Sequence, residues 1–318
     1  MNVNELLLQV ECYVGFRKAI GYTVHSEEKL LKDFVAFLLP GTVHDPIRAQ
    51  TAVDWACTPS PGRGLAGQAS RLKVVRGFLF YLRATLPETE VPGPGILAPI
   101  RRPAPYLYSA NEIEALLNEA SQLSPKDSLR PHTYRTLIGL LASSGLRVGE
   151  ALRLKVVDVR LEAVPPHLHI MEGKFRKSRL VPLHSTTVEK MGAYSKQRKL
   201  LLYDGLSDAF FVSEKGGHLS YSACWETFAG LLRRTGIRRQ SSGGRPGMHA
   251  LRHSFTVGRM VEWHRTGMPV KDLLPNLSVY LGHVQPAHTY WYLTATPELL
   301  SAAADSFMRY TGRGGRDE

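Results

Sequence analysis

Residues 248–255 read MHALRHSF, residues 281–283 read LGH and residues 289–293 read TYWYL. His249 and Arg252 are three residues apart, so on a helix they share one face. An apolar run of helical character leads on to His283. That histidine follows a Leu-Gly pair, which suits a turn opening a helix. Tyr292 lies nine residues beyond His283, too far to share its turn, so the fold must bring it back. Two histidines, an arginine and a tyrosine converging without a carboxylate suggest an anionic reacting centre and a phenolic nucleophile. Phosphate is the obvious anion.

The charge balance outside this stretch agrees. The 318-residue chain is long enough for two domains with separate cores, and its formal charge is +12. Residues 1–100 hold 10 Lys and Arg against 9 Asp and Glu, a net of +1. Residues 101–318 hold 30 against 19, a net of +11, so the excess lies on the part that carries the cluster. A basic surface predicts a polyanionic partner, nucleic acid first and an anionic membrane second. The cysteines Cys12, Cys57 and Cys224 lie far apart with no CxxC, so neither a disulfide framework nor a zinc ribbon is expected. A reducing cytoplasm fits. The first residues, MNVNELLLQVECYVGF, include acids and no basic leader, and no apolar run approaches the roughly 20 residues of a membrane helix.

In chain order, 3–4 spacing predicts helices over residues 4–20, from Ser26 to Pro40, around 51–56 and over 66–85. Residues 1–86 thus read as a small helical bundle. In its last helix Leu72, Val75, Leu79 and Leu82 form one seam. Arg71, Lys73 and Arg76 lie off that seam and are candidates to grip phosphates, or else a solvated basic face. PETEVPGPGILAPIRRPAP, residues 87–105, reads as a proline-rich linker within 87–108, where Arg101 and Arg102 could track a nucleic-acid backbone. The second domain, 109–318, opens on Ser109 with Glu112 three residues later, a capping-box pattern. Helices follow over 110–120 and 132–143, and another from Leu146 to Leu154 with Arg147 in its first turn. Short strands are expected at Val156–Arg160, His167–Met171 and Arg179–Leu183, the last two joined by a turn bearing Lys174, Arg176 and Lys177. Helices return over 185–202 and 220–235, and PELLSAAADSFMRY suggests a tail helix near 296–310.

Five segments, LASSGLRVGEALRL, EGKFRKSRLVPLH, HALRHSF, LGH and TYWY, resemble the five boxes of the tyrosine recombinase (phage integrase) family in order and spacing. They span most of residues 109–295, and the N-terminal bundle more weakly resembles the family's core-binding domain. The resemblance implies a mainly α fold with a small antiparallel sheet (α+β), its two domains forming a C-shaped clamp around duplex DNA. It implies catalytic roles for Arg147, Lys174, His249, Arg252, His283 and Tyr292, without a metal or other cofactor. Tyr292 would attack a phosphodiester to form a 3′-phosphotyrosyl link. Arg147 and Arg252 would hold the non-bridging oxygens. Lys174 would protonate the leaving 5′-oxygen, His249 would act as general acid/base, and His283 would donate to phosphate or aid the nucleophile. Glu150, one turn after Arg147, could orient that arginine. Four protomers would exchange strands between paired sites through a Holliday junction.

Lys177 competes with Lys174 at one turn. His249 and His253 stand at a zinc-compatible i, i+4 spacing, but position 250 is Ala, so HExxH fails and His253 reads as packing or capping. Tyr290 rivals Tyr292, yet two residues apart on a helix they face nearly opposite sides, and the spacing from His283 selects Tyr292. A non-catalytic DNA-binding subunit would show a substituted box, and none of the six positions is substituted. A type IB topoisomerase shares the chemistry, but the boxes and short length argue against it.

Overall fold

The computed structural model describes residues 3–22, 24–38, 46–59, 64–97, 104–171, 178–201, 207–238, 244–283, 285, 287–295, 299 and 301. The chain forms two compact units, Met1–Arg102 and Pro103–Glu318.

The first unit holds α1 (Val3–Ala19), α2 (His25–Leu38), α3 (Ala49–Cys57) and α4 (Leu65–Leu82). Their apolar faces make one core. Leu6, Val10 and Tyr13 come from α1, Leu31 and Phe34 from α2, Trp55 from α3, and Leu72, Val75, Leu79 and Leu82 from α4. The seam expected on α4 is therefore buried. Arg71 departs from expectation. It is buried, lies 3.7 Å over the Trp55 ring, and donates to Asp33 (3.2 Å) and to the Trp55 carbonyl (3.1 Å). A guanidinium is flat enough to stack on an indole while its edge bonds a carbonyl, so this arginine closes the bundle.

The proline-rich stretch also differs from a free linker. Leu86, Val91 and Leu97 pack on the first core, and the Arg76 guanidinium donates to the carbonyls of Pro92 (2.9 Å) and Gly93 (2.8 Å). Glu90 accepts from the Ala49 backbone N–H at 2.9 Å, at the start of α3. Prolines leave backbone carbonyls without an intrinsic ladder, and a nearby arginine satisfies them. At the far end Tyr106 and Tyr108 join the core of the second unit.

That unit begins with α5 (Ala110–Ala120), whose Ser109–Glu112 capping box is formed as expected, and α6 (Leu129–Ser144). Next come α7 (Val148–Leu152) and the strands β1 (Val159–Arg160), β2 (His167–Ile170) and β3 (Arg179–Pro182). The sheet is antiparallel in the order β1-β2-β3, with Leu168 opposite both Val159 and Val181. β1 is shorter than the sequence suggests. Val156–Asp158 forms a 3-10 turn because the Asp158 carboxylate caps the Lys155 N–H at 2.9 Å. α8 (Ser185–Leu201), α9 (Tyr221–Arg234), α10 (Met248–Arg265), α11 (Val270–Leu281) and α12 (Ala287–Ala295) complete the described elements. α6 packs on α5, α8 and α10, so the start of α10 is fixed against the end of α6. No helix among the described residues is long and apolar enough to cross a membrane.

Candidate active site

Two helix ends and one strand build the site. α6 stops at Gly145, whose φ of 62° only glycine adopts freely, and the chain then turns into α7. Arg147 stands just before α7, at its N-cap, rather than inside its first turn. The Glu150 carboxylate accepts from the Arg147 backbone N–H (3.0 Å) and from its Nη1 (2.8 Å). Capping the free N–H and pairing the guanidinium with one carboxylate fixes both ends of this arginine.

The Leu-Gly pair closes α11 instead of opening the next helix. Gly282 takes φ 66°, its N–H bonds the Val279 carbonyl, and the His283 N–H bonds that of Ser278, both at 2.9 Å. This left-handed cap leaves the Leu281 and Gly282 carbonyls available to side chains. Arg252 on α10 uses one of them. Its Nη2 donates to Leu281 O at 2.7 Å and its Nη1 to Gly145 O at 2.8 Å, so it joins the ends of α6 and α11. Arg147 Nη2 takes the Gly282 carbonyl at 3.0 Å. Arg179, at the start of β3, donates Nε to Tyr280 O at 2.8 Å and both Nη atoms to Glu150, at 3.2 and 2.9 Å.

Three guanidiniums thus surround one carboxylate and the negative ends of two helix dipoles. Burial opposes ionisation of Glu150, but the hydrogen bonds and charges of Arg179 and Arg147 outweigh it and hold its carboxyl at about 2. Burial and the neighbouring Arg147 lower Arg252 to about 10, which leaves it cationic at neutral pH. Burial, then the positive Arg252 and Arg147, push His283 down to about 3, so its ring is neutral at pH 7. Its Nδ1 lies 2.7 Å from the Thr289 hydroxyl.

Tyr292 returns to this cluster on α12. Its side chain is buried, and its hydroxyl lies 2.5 Å from His253 Nδ1. Tyr290 is exposed, as expected for the opposite side of the same helix. His249 is exposed at the start of α10, with its ring 4.6 Å from that of His253. The structure therefore brings Arg147, Glu150, Arg252, His249, His283 and Tyr292 together. Lys174, Arg176, Lys177, Arg101 and Arg102 lie outside the described residues, as do most of residues 296–310. Lys73 is exposed, whereas Arg71 and Arg76 bond inside their own unit.

Sequence reasoning missed three residues of the site. In the sequence Arg179 reads as the first residue of a strand inside the segment EGKFRKSRLVPLH. His253 reads as packing or capping, although it follows Arg252 directly, and Thr289 has no role of its own in that reading. The signal for His253 was its i, i+4 relation to His249; for Arg179 and Thr289 it was their place inside the segments EGKFRKSRLVPLH and TYWY, which gave them no partner without the fold.

The sequence model of the Phage integrase family matches residues 107–298, a span that contains all of this cluster. The chain belongs to the phage integrase family. A putative integrase/recombinase, y4rB, of Sinorhizobium fredii is 39% identical over 301 residues, covering 92% of this chain and 94% of that protein. The tyrosine recombinase XerD of Mycobacterium leprae is 30% identical, covering 83% and 82%. Among solved structures, a XerH site-specific recombinase bound to palindromic difH substrate superimposes with a TM-score of 0.68 at 20% identity, over 88% of this chain and 78% of that one. The Tn1549 transposon integrase in complex with transposon right end DNA gives 0.65 at 14% identity, over 96% and 99%. These two likenesses are of fold. As a phage integrase family member the chain is a tyrosine-type DNA recombinase, mainly helical with one small antiparallel sheet.

Proposed function

We propose that this recombinase cleaves and rejoins duplex DNA at specific sites through a 3′-phosphotyrosyl link to Tyr292, in integration, excision or transposition. The observation that carries the reading is the charge left over at the site. Arg147 and Arg179 share the Glu150 carboxylate while Arg252 bonds only carbonyls, all beside a buried phenol, and a phosphodiester supplies the missing negative charge. Arg147 and Arg252 offer forked donors to the non-bridging oxygens, most strongly as charge develops in the transition state. Tyr292 attacks phosphorus and the bond to the 5′-oxygen breaks. Lys174 gives the leaving oxygen its proton. Neutral His283, fixed through Nδ1 to Thr289, offers its other nitrogen to the phosphate. His249, at the exposed rim, exchanges protons with substrate oxygens. The link conserves the energy of the phosphodiester, so a second 5′-hydroxyl can reverse the step. The working assembly is a tetramer holding two duplexes at paired sites, with the basic chain clamped on DNA.

A nicked duplex carrying a site selected from a random-sequence library by binding tests this. The short 5′ fragment diffuses away, and a covalent complex accumulates that survives denaturant. The reading expects a 3′-phosphate on the peptide containing Tyr292, no adduct from Tyr292→Phe, and an adduct still formed by Tyr290→Phe. An adduct on Tyr290 or a 5′-phosphate linkage overturns it. A wild-type protein that binds its site and never forms an adduct is a DNA-binding subunit instead.

A further inference from the structure

We propose that His253 is the proton acceptor for the nucleophile: its Nδ1 takes the Tyr292 phenolic proton as the phosphotyrosyl bond forms and returns it on religation. The inference rests on the reading of Tyr292 as nucleophile and adds a group that reading leaves without a role. A phenol is a weak nucleophile with an ordinary pKa near ~10, so its attack at neutral pH needs a partner for the proton. Nδ1 of His253 lies 2.5 Å from the hydroxyl, within the reach that a general base requires. The two rings sit 5.4 Å apart with an interplanar angle of 57°, and Trp291 flanks the histidine at 6.2 Å. His253 follows Arg252 on α10 and is itself buried, so the helix that seats the phosphate also seats the acceptor.

The proposed step uses the tautomer in which Nδ1 accepts and Nε2 carries the ring proton. During attack the Tyr292 O–H bond breaks and Nδ1–H forms. The phenolic oxygen bonds phosphorus, the phosphorus–O5′ bond breaks, and O5′ receives its proton from Lys174. Religation runs each transfer backwards. Other groups nearby are less well placed. His283 is tied through Nδ1 to Thr289, and the Arg252 guanidinium is bonded to two carbonyls. Among the described residues, the titratable and charged groups around His253 include His249 and Arg252 on α10 and Tyr292 on α12. Arg147, Glu150, Arg179 and His283 act on the same cluster around Arg252.

The test uses the full chain and the nicked duplex described above, with single-turnover adduct formation measured from pH 6 to pH 9.5. Glutamine can accept a hydrogen bond from the phenol yet cannot take its proton. His253→Gln is therefore expected to slow adduct formation about 100-fold at pH 7, within the range of general-base effects. The deficit should shrink as pH rises and hydroxide removes the proton. It should also shrink when fluorotyrosine, a more acidic phenol, replaces Tyr292. His253→Phe, which keeps a buried ring, should be at least as slow as His253→Gln. DNA affinity and melting temperature, measured for both variants, report whether the fold is kept. A deficit that is constant across pH and unaltered by fluorotyrosine overturns the proposal and leaves His253 a packing residue. So does a His253→Phe protein as fast as wild type. A wild-type adduct absent from Tyr292 overturns the nucleophile reading, and this inference with it. An adduct on Tyr292 that is indifferent to His253 overturns this inference alone.

Discussion

Arg179 grips both oxygens of Glu150 with two hydrogen bonds while its Nε holds the Tyr280 carbonyl. The strand β3 is thereby tied to the carboxylate that orients Arg147 and to the end of the helix that receives Arg252. An arginine at the start of β3, within the segment EGKFRKSRLVPLH, sets the geometry of two arginines that lie in other segments.

Lysine cannot reproduce that fork. Arg179→Lys is expected to destabilise the protein by about 3 kcal/mol, the usual cost of breaking a buried ion pair. It should also slow cleavage while leaving DNA affinity nearly intact. A double-mutant cycle with Glu150→Gln, read by urea denaturation, should give a coupling of at least about 1 kcal/mol. Additive losses would show that the two side chains act independently.

Acid should unfold the protein in two stages. The folded-state His283 is held below its usual value, so from about pH 6.5 downward the unfolded chain takes up a proton that the native chain refuses. Stability present above that range is lost as pH falls towards 3. The depressed Glu150 contributes stability that is full above about pH 4.5 and disappears as pH falls towards 2, a loss of about 3 kcal/mol. Urea midpoints between pH 7.5 and pH 2 check both. His283→Asn should flatten the upper stage only, and a wild-type protein equally stable at pH 7 and pH 4 contradicts the assignment.

Gly145 has a left-handed φ of 62°, and an added Cβ would strike the Phe255 ring. Gly145→Ala should cost about 2 kcal/mol or more, from left-handed strain of about 1 kcal/mol plus the clash. It should weaken cleavage too, since the Gly145 carbonyl holds Arg252. Gly258 lies on the exposed face of α10 with open space at its Cβ. Gly258→Ala should therefore gain up to about 1 kcal/mol of stability. Thermal melts of the two variants shifting in the same direction would refute this account.

Arg71 and Lys73 are two residues apart on α4 and should fail differently. Arg71→Ala removes a stack on Trp55 and a buried hydrogen bond, and should lower stability by about 2 kcal/mol. Lys73→Ala should leave stability unchanged and reduce the salt slope of DNA binding by about 1, if Lys73 meets a phosphate. A Lys73→Ala protein with the wild-type slope removes that residue from the DNA surface.

Lys174 and the arginines act on different oxygens. On a substrate whose bridging 5′-oxygen is replaced by sulfur the leaving group needs no proton, so Lys174→Ala should recover its cleavage rate. Arg252→Lys should not, because its loss concerns the non-bridging oxygens. Rescue of Lys177→Ala in place of Lys174→Ala would move the acid three residues along the turn.

Much of this was legible in the residues. Helix spacing located α1 to α6 to within a few residues, because apolar periodicity and caps such as Ser109–Glu112 are local signals. The five motif segments were enough to identify the family; helical phase puts Tyr290 and Tyr292 on opposite sides, and the spacing from His283 is what singles out Tyr292. Whether the Leu-Gly pair opened a helix or closed one was not local information. A glycine at φ 66° suits either, and the packing of α11 decided. The direction of the α4 basic face was also beyond sequence, because Arg71 turns inward only where Trp55 waits for it.

The sequence by itself determined the family and with it the reaction class, and it nominated the side chains proposed to hold a phosphate and the phenol proposed to attack it. That information resides in residue type and spacing, which no folding is needed to read. Only the tertiary structure decided the partners. Gly145, Arg179, His253, Leu281 and Tyr292 come from α6, β3, α10, α11 and α12, so no spacing rule relates them. Their meeting depends on two left-handed helix ends that leave carbonyls for guanidiniums, and on a buried carboxylate that arginines from two elements must share.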